Sequence, residues 1–291
     1  MSARVVVPRG PFSLAASMRF AEGFTPDPHA PDAATGHLHL AFVPDGEAEA
    51  AGACIREESG DLVVEITGDA DHDRAHEQVL RILSLDVDGS GFAAVGDRDP
   101  VIGELQERYG GLRPVGFLSP FEAGVWFLLG QRIRRTQAAR LKARLRDALG
   151  SAVVVCGERL IAFPGPRLLV DLGDVEGIPD VKRERVRALA AAALEGRLDG
   201  SRLRALNADD AIADLQELPG VGPFTAQDIV LRGAGAPDVL AAAEPRLARA
   251  IALAYGVDAP PDAERIGELA AAWRPFRSWA TVLLRVNLDR A

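Results

Sequence analysis

The hydrophobic period of this chain changes once, near Asp99, and the change divides the chain into two kinds of structure. Before it, apolar residues alternate or run in short β-rich stretches bounded by turn residues: SLAASMRF, HLHLAFV, AGACIREES and DLVVEITG. The ESGD at Glu58 to Asp61 predicts a hairpin turn. DHDRAHEQVLRILSL then predicts an amphipathic helix with Ala75, Val79, Leu80, Ile82 and Leu83 inward. After Asp99 the spacing is helical over 99–109, 119–130, 134–149, 165–171, 180–196, 208–217, 223–232, 245–254, 262–272 and 275–287. Ser119, Pro120 and Glu122 stand at the N-cap, N1 and N3 positions of a capping box. The expected fold class is α+β, with a small antiparallel α+β domain over 1–95 and an all-α body over 96–291.

Composition removes several classes. With 48% hydrophobic and 26% charged residues, the chain reads as an ordinary soluble globular protein. No apolar stretch approaches the ~20 residues a membrane span needs. The run after Met1 is too short for a secretory signal. A cytoplasmic protein without a membrane partner is expected. Cys54 and Cys156 lie far apart in apolar stretches and read as separate buried thiols, not as a metal site. His72 and His76 have a zinc-capable i,i+4 spacing. No third ligand lies near them, and Asp71 and Asp73 point to an exposed polar face.

The net charge of −9 argues against nucleic-acid binding only as a global sum, because phosphates respond to local patches. RIRRTQAARLKARLR, from Arg132 to Arg146, holds seven basic residues and no acid. A second feature breaks the helical pattern. In LQELPGVGPFTAQDIVLRG, two glycines and two prolines interrupt a helix that restarts at once. Gly220 and Gly222 can turn several backbone N–H groups outward, next to a helix start whose first N–H groups lack partners, an arrangement suited to a phosphate. Val221 and Phe224 would pin the two helices together. An ordinary αα-turn built from Pro and Gly is the competing reading of these residues alone.

LPGVGPFTA does not stand alone. With PFEAGVWFLLGQRIRRTQAARLKARL and GIPDVKRERVRALAAAALEGRL before it, and GAPDVLAAAEPRLARAIALAYG and LAAAWRPFRSWATVLL after it, the chain resembles the 3-methyladenine DNA glycosylase II (AlkA-type) branch of the helix-hairpin-helix glycosylase superfamily. The resemblance runs from about Pro8 to Asn287, and RGPFSLAASMRFAEGF fits it more weakly. It implies a TBP-like N-terminal domain and a helix-hairpin-helix glycosylase body of two helical subdomains, roughly 115–235 and 96–114 with 236–291. It also implies a monomer acting on double-stranded DNA that contains a damaged base.

Such enzymes flip a damaged base and hydrolyse its N-glycosidic bond beside a carboxylate. The resemblance puts that carboxylate at Glu244, where the family has Asp. It also allows Glu244 to be only a helix-start residue before Pro245. Pocket positions usually aromatic fall on Asp228 and Arg285, with Phe224 and Trp126 as apolar walls or core. An Asp228–Arg285 pair would make the pocket polar. Trp273, Phe276 and Trp279 read as helix packing. The wedge position is Arg132 after Gln131, and Arg134, Arg135, Thr225, Gly220 and Gly222 are expected DNA contacts. No Lys stands at the hairpin to form a Schiff base, so water would be the nucleophile. No cofactor is expected beyond a structural Na⁺ or K⁺ on the carbonyls of Gln216, Leu218 and Val221. The replacements Glu244, Asp228 and Arg285 keep a second reading open, a weakly catalytic or non-catalytic damaged-DNA-binding protein on the glycosylase scaffold.

Overall fold

A computed structural model of the protein describes residues 1–22 and 36–291. The N-terminal sheet is antiparallel, in the order β1 (Ser2–Val6), β4 (Asp61–Gly68), β3 (Ala51–Glu58), β2 (Leu38–Phe42). The turn joining β3 to β4 has positive φ at Ser59 and Gly60, which matches the right-handed twist of a tight hairpin. Leu38, Leu40 and Phe42 alternate onto one face and meet Val64, Ile66, Val79 and Ile82 in a single core. Helices Leu14–Glu22 and His72–Ile82 contribute to that core.

Three expectations need correction. SLAASMRF is helical, not a strand, because Leu14, Met18 and Ala21 recur at helical spacing and bury together. The body after residue 96 is not wholly α-helical. Ser151–Val155 (β5) and Glu158–Ala162 (β6) form a hairpin whose turn, Cys156-Gly157, again has two positive φ angles. The Val-rich run supplies the β-branched residues, and this hairpin lies on the sheet face opposite the helices. A Cβ on Gly52 would sit 2.4 Å from the Val155 side chain, so glycine permits the close approach. His76, read as part of an exposed face, is buried.

The remaining helices bury two further cores. Pro120–Gly130, Asp180–Leu194 and the helices either side of the Pro-Gly hairpin share one, through Val125, Leu189, Leu215 and Ile229. Pro100–Arg108, Pro245–Tyr255, Ala263–Ala270 and Arg277–Arg290 share the other, through Ile102, Leu247, Trp273 and Leu284. Trp273 and Tyr255 both donate to Asp99, whose other carboxylate oxygen caps the Pro100–Arg108 helix. Phe276 and Trp279 both meet Phe92 edge to face. The guanidinium of the buried Arg113 donates to carbonyls of Arg9, Gly10, Pro11, Ser84 and Val87, tying the N-terminal segment to the body.

Candidate active site and DNA-binding groove

The interrupted helix is a helical hairpin. Ala208–Gln216 ends, the chain turns through Leu218 to Gly222, and a helix restarts at Pro223. Val221 N–H donates to Leu218 C=O within the turn, and Gly220 has φ +81°. The first bond of the new helix runs from Ala226 N–H to Gly222 C=O, so the N–H groups of Phe224 and Thr225 precede the ladder. A Cβ on Gly222 would meet no atom within 4 Å, so the approach to the turn is open. Thr225 is buried, so its hydroxyl is not on the outer surface expected of a DNA contact.

The second helix does not stay α. After Pro223–Asp228 it widens into a π-turn over Ile229–Gly233, closed by Ala234 N–H on Ile229 C=O. Within that turn the Arg232 carbonyl accepts the N–H of Phe117. Such single π-turns recur at functional sites.

Gln131 joins the hairpin to the helix Asp180–Leu194. Its Nε2 donates to the Gly220 carbonyl at 2.7 Å, and its Oε1 accepts from Arg185 at 2.6 Å. Arg132 follows, exposed, with φ +59°. A non-glycine residue held there carries backbone strain and turns its side chain out of the loop. A groove lies alongside, lined by Gln131, Arg132, Arg140, Arg144, Arg185 and Gly220, with no Asp or Glu in its wall among the described residues. Arg134 is exposed at the start of the Arg135–Leu149 helix. Lys142 of the same helix is not part of the basic surface. It is buried against Glu122.

Glu244 precedes Pro245 at the N-cap position, but its side chain caps nothing. It turns to the facing Arg277–Arg290 helix, where Oε2 lies 3.3 Å from Nη1 of Arg285. The two side chains are 14% and 22% exposed, so the carboxylate does not face bulk water. Arg285 therefore pairs with Glu244 and is not hydrogen-bonded to Asp228, the partner that the sequence leaves open for it. Asp228 is buried. Burial pushes its carboxyl up to about 6 against the pull of Arg232, with Glu244 adding to the rise and Arg285 opposing it. Desolvation brings the Arg232 guanidinium down to about 10, opposed mainly by Asp228. Two acids and two arginines thus form one cluster. Arg232 and Arg285 also line a cavity of about 400 Å³, together with Arg135, Arg246, Phe20 and Trp279.

The apolar wall differs from the expected one. Phe224 is 55% exposed, so it is no core residue, and it meets Phe127 edge to face at 5.9 Å. Phe127 contacts Phe117 at 5.8 Å, and the Arg232 guanidinium lies over Phe117 at 5.1 Å. The row Phe224, Phe127, Phe117 runs from the hairpin to the charged cluster. Trp126 is buried with Phe117 and Ala138 instead.

No protein-family profile matches the chain. It is 27% identical over 217 residues to a Bacillus subtilis protein named DNA-3-methyladenine glycosylase, covering 72% of this chain and 71% of that one. It is 29% identical over 287 residues to a Mycobacterium tuberculosis protein named probable bifunctional transcriptional activator/DNA repair enzyme AlkA. That match takes in 90% of this chain but only about half, 55%, of the relative. In fold it is similar to the 3-methyladenine DNA-glycosylase from Archaeoglobus fulgidus, with a TM-score of 0.77 at 21% identity over 100% of this chain and 98% of that one. The named relatives and the fold together support an AlkA-type DNA glycosylase family for this chain.

Sequence reasoning missed Phe117, Phe127, Arg232 and Arg185. Arg232 carries a readable signal, since it stands four residues after Asp228 on one helix. Phe117 and Phe127 carry none, because the turn that brings them to the hairpin is tertiary.

Proposed function

We propose that the protein is a monofunctional DNA glycosylase of base excision repair, flipping alkylated or related damaged bases from duplex DNA and hydrolysing the N-glycosidic bond. The observation that carries this reading is the orientation of Glu244. A helix-start acid would cap its own helix, whereas this one turns to the opposite helix beside the arginine-lined cavity. There a carboxylate can stabilise an oxocarbenium-like sugar or orient water. The groove, without an acid among the described residues of its wall, would receive the phosphate backbone between the hairpin N–H groups and the arginines beside them. Arg132 would fill the gap left by the flipped base. Asp228, Arg232 and Arg285 make the pocket polar, which suits a base read by its hydrogen-bonding edge as well as by stacking on Phe224 and Phe127. The neutral carbonyls of Gln216, at the end of the first helix, and of Leu218 and Val221 in the turn suit a monovalent cation bridging to phosphate better than a divalent one. The protein acts as a monomer.

The Glu244–Arg285 ion pair favours a second reading, in which the carboxylate is already neutralised and the protein binds damaged DNA without cutting it efficiently. Excision from methylated duplex by wild type, Glu244→Gln and Glu244→Asp separates the two. Activity lost in the Gln variant supports the enzyme. No wild-type activity together with tight damage-specific binding supports the binding protein.

A further inference from the structure

Cys54 and Cys156, which the sequence suggests are two separate buried thiols, are brought together by the fold. Cys54 is buried on β3, and Cys156 is exposed at the tip of the β5–β6 hairpin. They meet where β2 presents two histidines. His37 and His39 are two residues apart and so project on the same sheet face. His39 is the direct cross-strand partner of Cys54. One ligand atom from each of His37, His39, Cys54 and Cys156 lies within 4.8 Å of all the others.

We propose that these four residues are a structural zinc site that fastens the β5–β6 hairpin to the N-terminal sheet. Four observations converge on it. The donor set is two sulfurs and two imidazoles, the Cys₂His₂ combination that suits tetrahedral Zn²⁺. Zinc–ligand bonds of about 2.0–2.3 Å place tetrahedral neighbours about 3.3–3.8 Å apart. Cys54 Sγ and His37 Nδ1 already stand at 3.6 Å. His39 Nδ1 is held by the Glu158 carboxylate at 3.1 Å, while its Nε2 is buried and has no hydrogen-bond partner among the described residues. A carboxylate on one imidazole nitrogen and a metal on the other is how ligating histidines are oriented. Finally, all four positions are protein ligands, which closes the site to substrate and marks it as structural. Two thiolates balance the charge of the ion.

The site acts at a junction. The hairpin begins at Ser151, directly after the helix Arg135–Leu149, whose arginines line the proposed DNA groove. Val153 and Val155 pack on Cys54, and Thr67 Oγ1 donates to the Val154 carbonyl at 2.9 Å. Zinc would fix the far end of the arginine helix to the N-terminal domain. It would not enter the excision chemistry, since none of its four ligands lies at the Glu244 cluster.

The test uses the full chain purified under reducing conditions, dialysed with Zn²⁺ and then freed of excess. Elemental analysis should find one zinc per chain. Co²⁺ substitution should give the strong visible spectrum of a tetrahedral ion with thiolate ligands. Cys156→Ser, at an exposed turn, should fold and should lose more than about 100-fold in zinc affinity. Glu158→Gln should lose about 10–100-fold while keeping the same Co²⁺ spectrum. Chelation should lower the melting temperature of wild type but not of Cys156→Ser. Three results overturn the proposal: substoichiometric zinc after loading, zinc retained equally by Cys156→Ser, or a Cys54–Cys156 disulfide in the reduced preparation.

Discussion

Lys142 Nζ lies 2.7 Å from Glu122 Oε1, both buried, and the pair joins the helix Pro120–Gly130 to the arginine-rich helix Arg135–Leu149. Glu122 thereby leaves the capping box that its N3 position suggested, although the Ser119 hydroxyl still accepts the Glu122 N–H. Removing one partner of a buried pair strands the other charge, at a cost of about 3–5 kcal/mol. Lys142→Met should therefore lower the urea midpoint sharply. A variant as stable as wild type would show that the pair is not desolvated.

DNA binding should separate Lys142 from its neighbours. Arg140 lines the groove and Lys142 does not. Deleting one phosphate-binding cation should reduce the slope of log K against log salt by about 1. Arg140→Ala should show that reduction without loss of stability, whereas folded Lys142→Met should keep the wild-type slope. Gly222→Glu should abolish binding, because it places bulk and charge at the open turn. Folded Gly222→Glu with wild-type affinity would count against the hairpin as a phosphate site.

Arg132 is expected to enter the duplex. Its left-handed backbone sends an exposed side chain out of the loop that Gln131 anchors to Gly220. Fluorescence of 2-aminopurine beside a lesion should rise on binding, and Arg132→Ala should reduce the rise. Specific binding without any unstacking would remove both the wedge and the flipping step.

Asp228 gives a pH signature. Its folded pKa, about 6, is raised above the ordinary 3.8. Between about pH 4 and 6 the folded chain holds a proton that the unfolded chain releases. This carboxyl's contribution to stability is therefore fully present at low pH and declines as pH rises, by up to about 3 kcal/mol. Asp228→Asn lacks this decline. The loss of the acid beside Arg232 is already contained in that titration, because Asp228 opposes Arg232 only when ionised. Relative to wild type, then, Asp228→Asn should become steadily more stable as pH rises through the window. A stability difference independent of pH would remove the assignment.

Much of the scaffold is legible in the sequence because period and punctuation are local. The switch near Asp99, the turn at Ser59-Gly60 and the break at Pro219 to Pro223 each declare themselves within a dozen residues. The β5–β6 hairpin has a local signal too, a Val-rich run ending at Cys-Gly, but helical segments on both sides obscure it. Clusters assembled from distant segments are different in kind. Arg285 and Glu244 are forty-one positions apart, and only helix packing decides that they pair with each other. His39 and Glu158, 119 positions apart, meet only because the hairpin folds back onto the sheet.

The Glu244–Arg285 pair decides between the enzyme and the binding protein. In an enzyme the carboxylate must turn from Arg285 to the positive charge developing on the sugar. Glu244→Gln keeps the shape and removes the charge, and should slow single-turnover excision by about 10²–10³-fold, the usual size of an electrostatic contribution removed from a transition state. Glu244→Asp retracts the charge by one methylene and weakens the hold of Arg285, so excision should be unchanged or faster. Arg285→Met should act in the same direction, because no cation then competes with the sugar for the carboxylate. If wild type cuts nothing and Glu244→Asp gains activity, the native protein is a damage binder with an intact cleft. If Glu244→Gln excises as fast as wild type, Glu244 is not the catalytic carboxylate, and the ion pair with Arg285 is only a clamp between two helices.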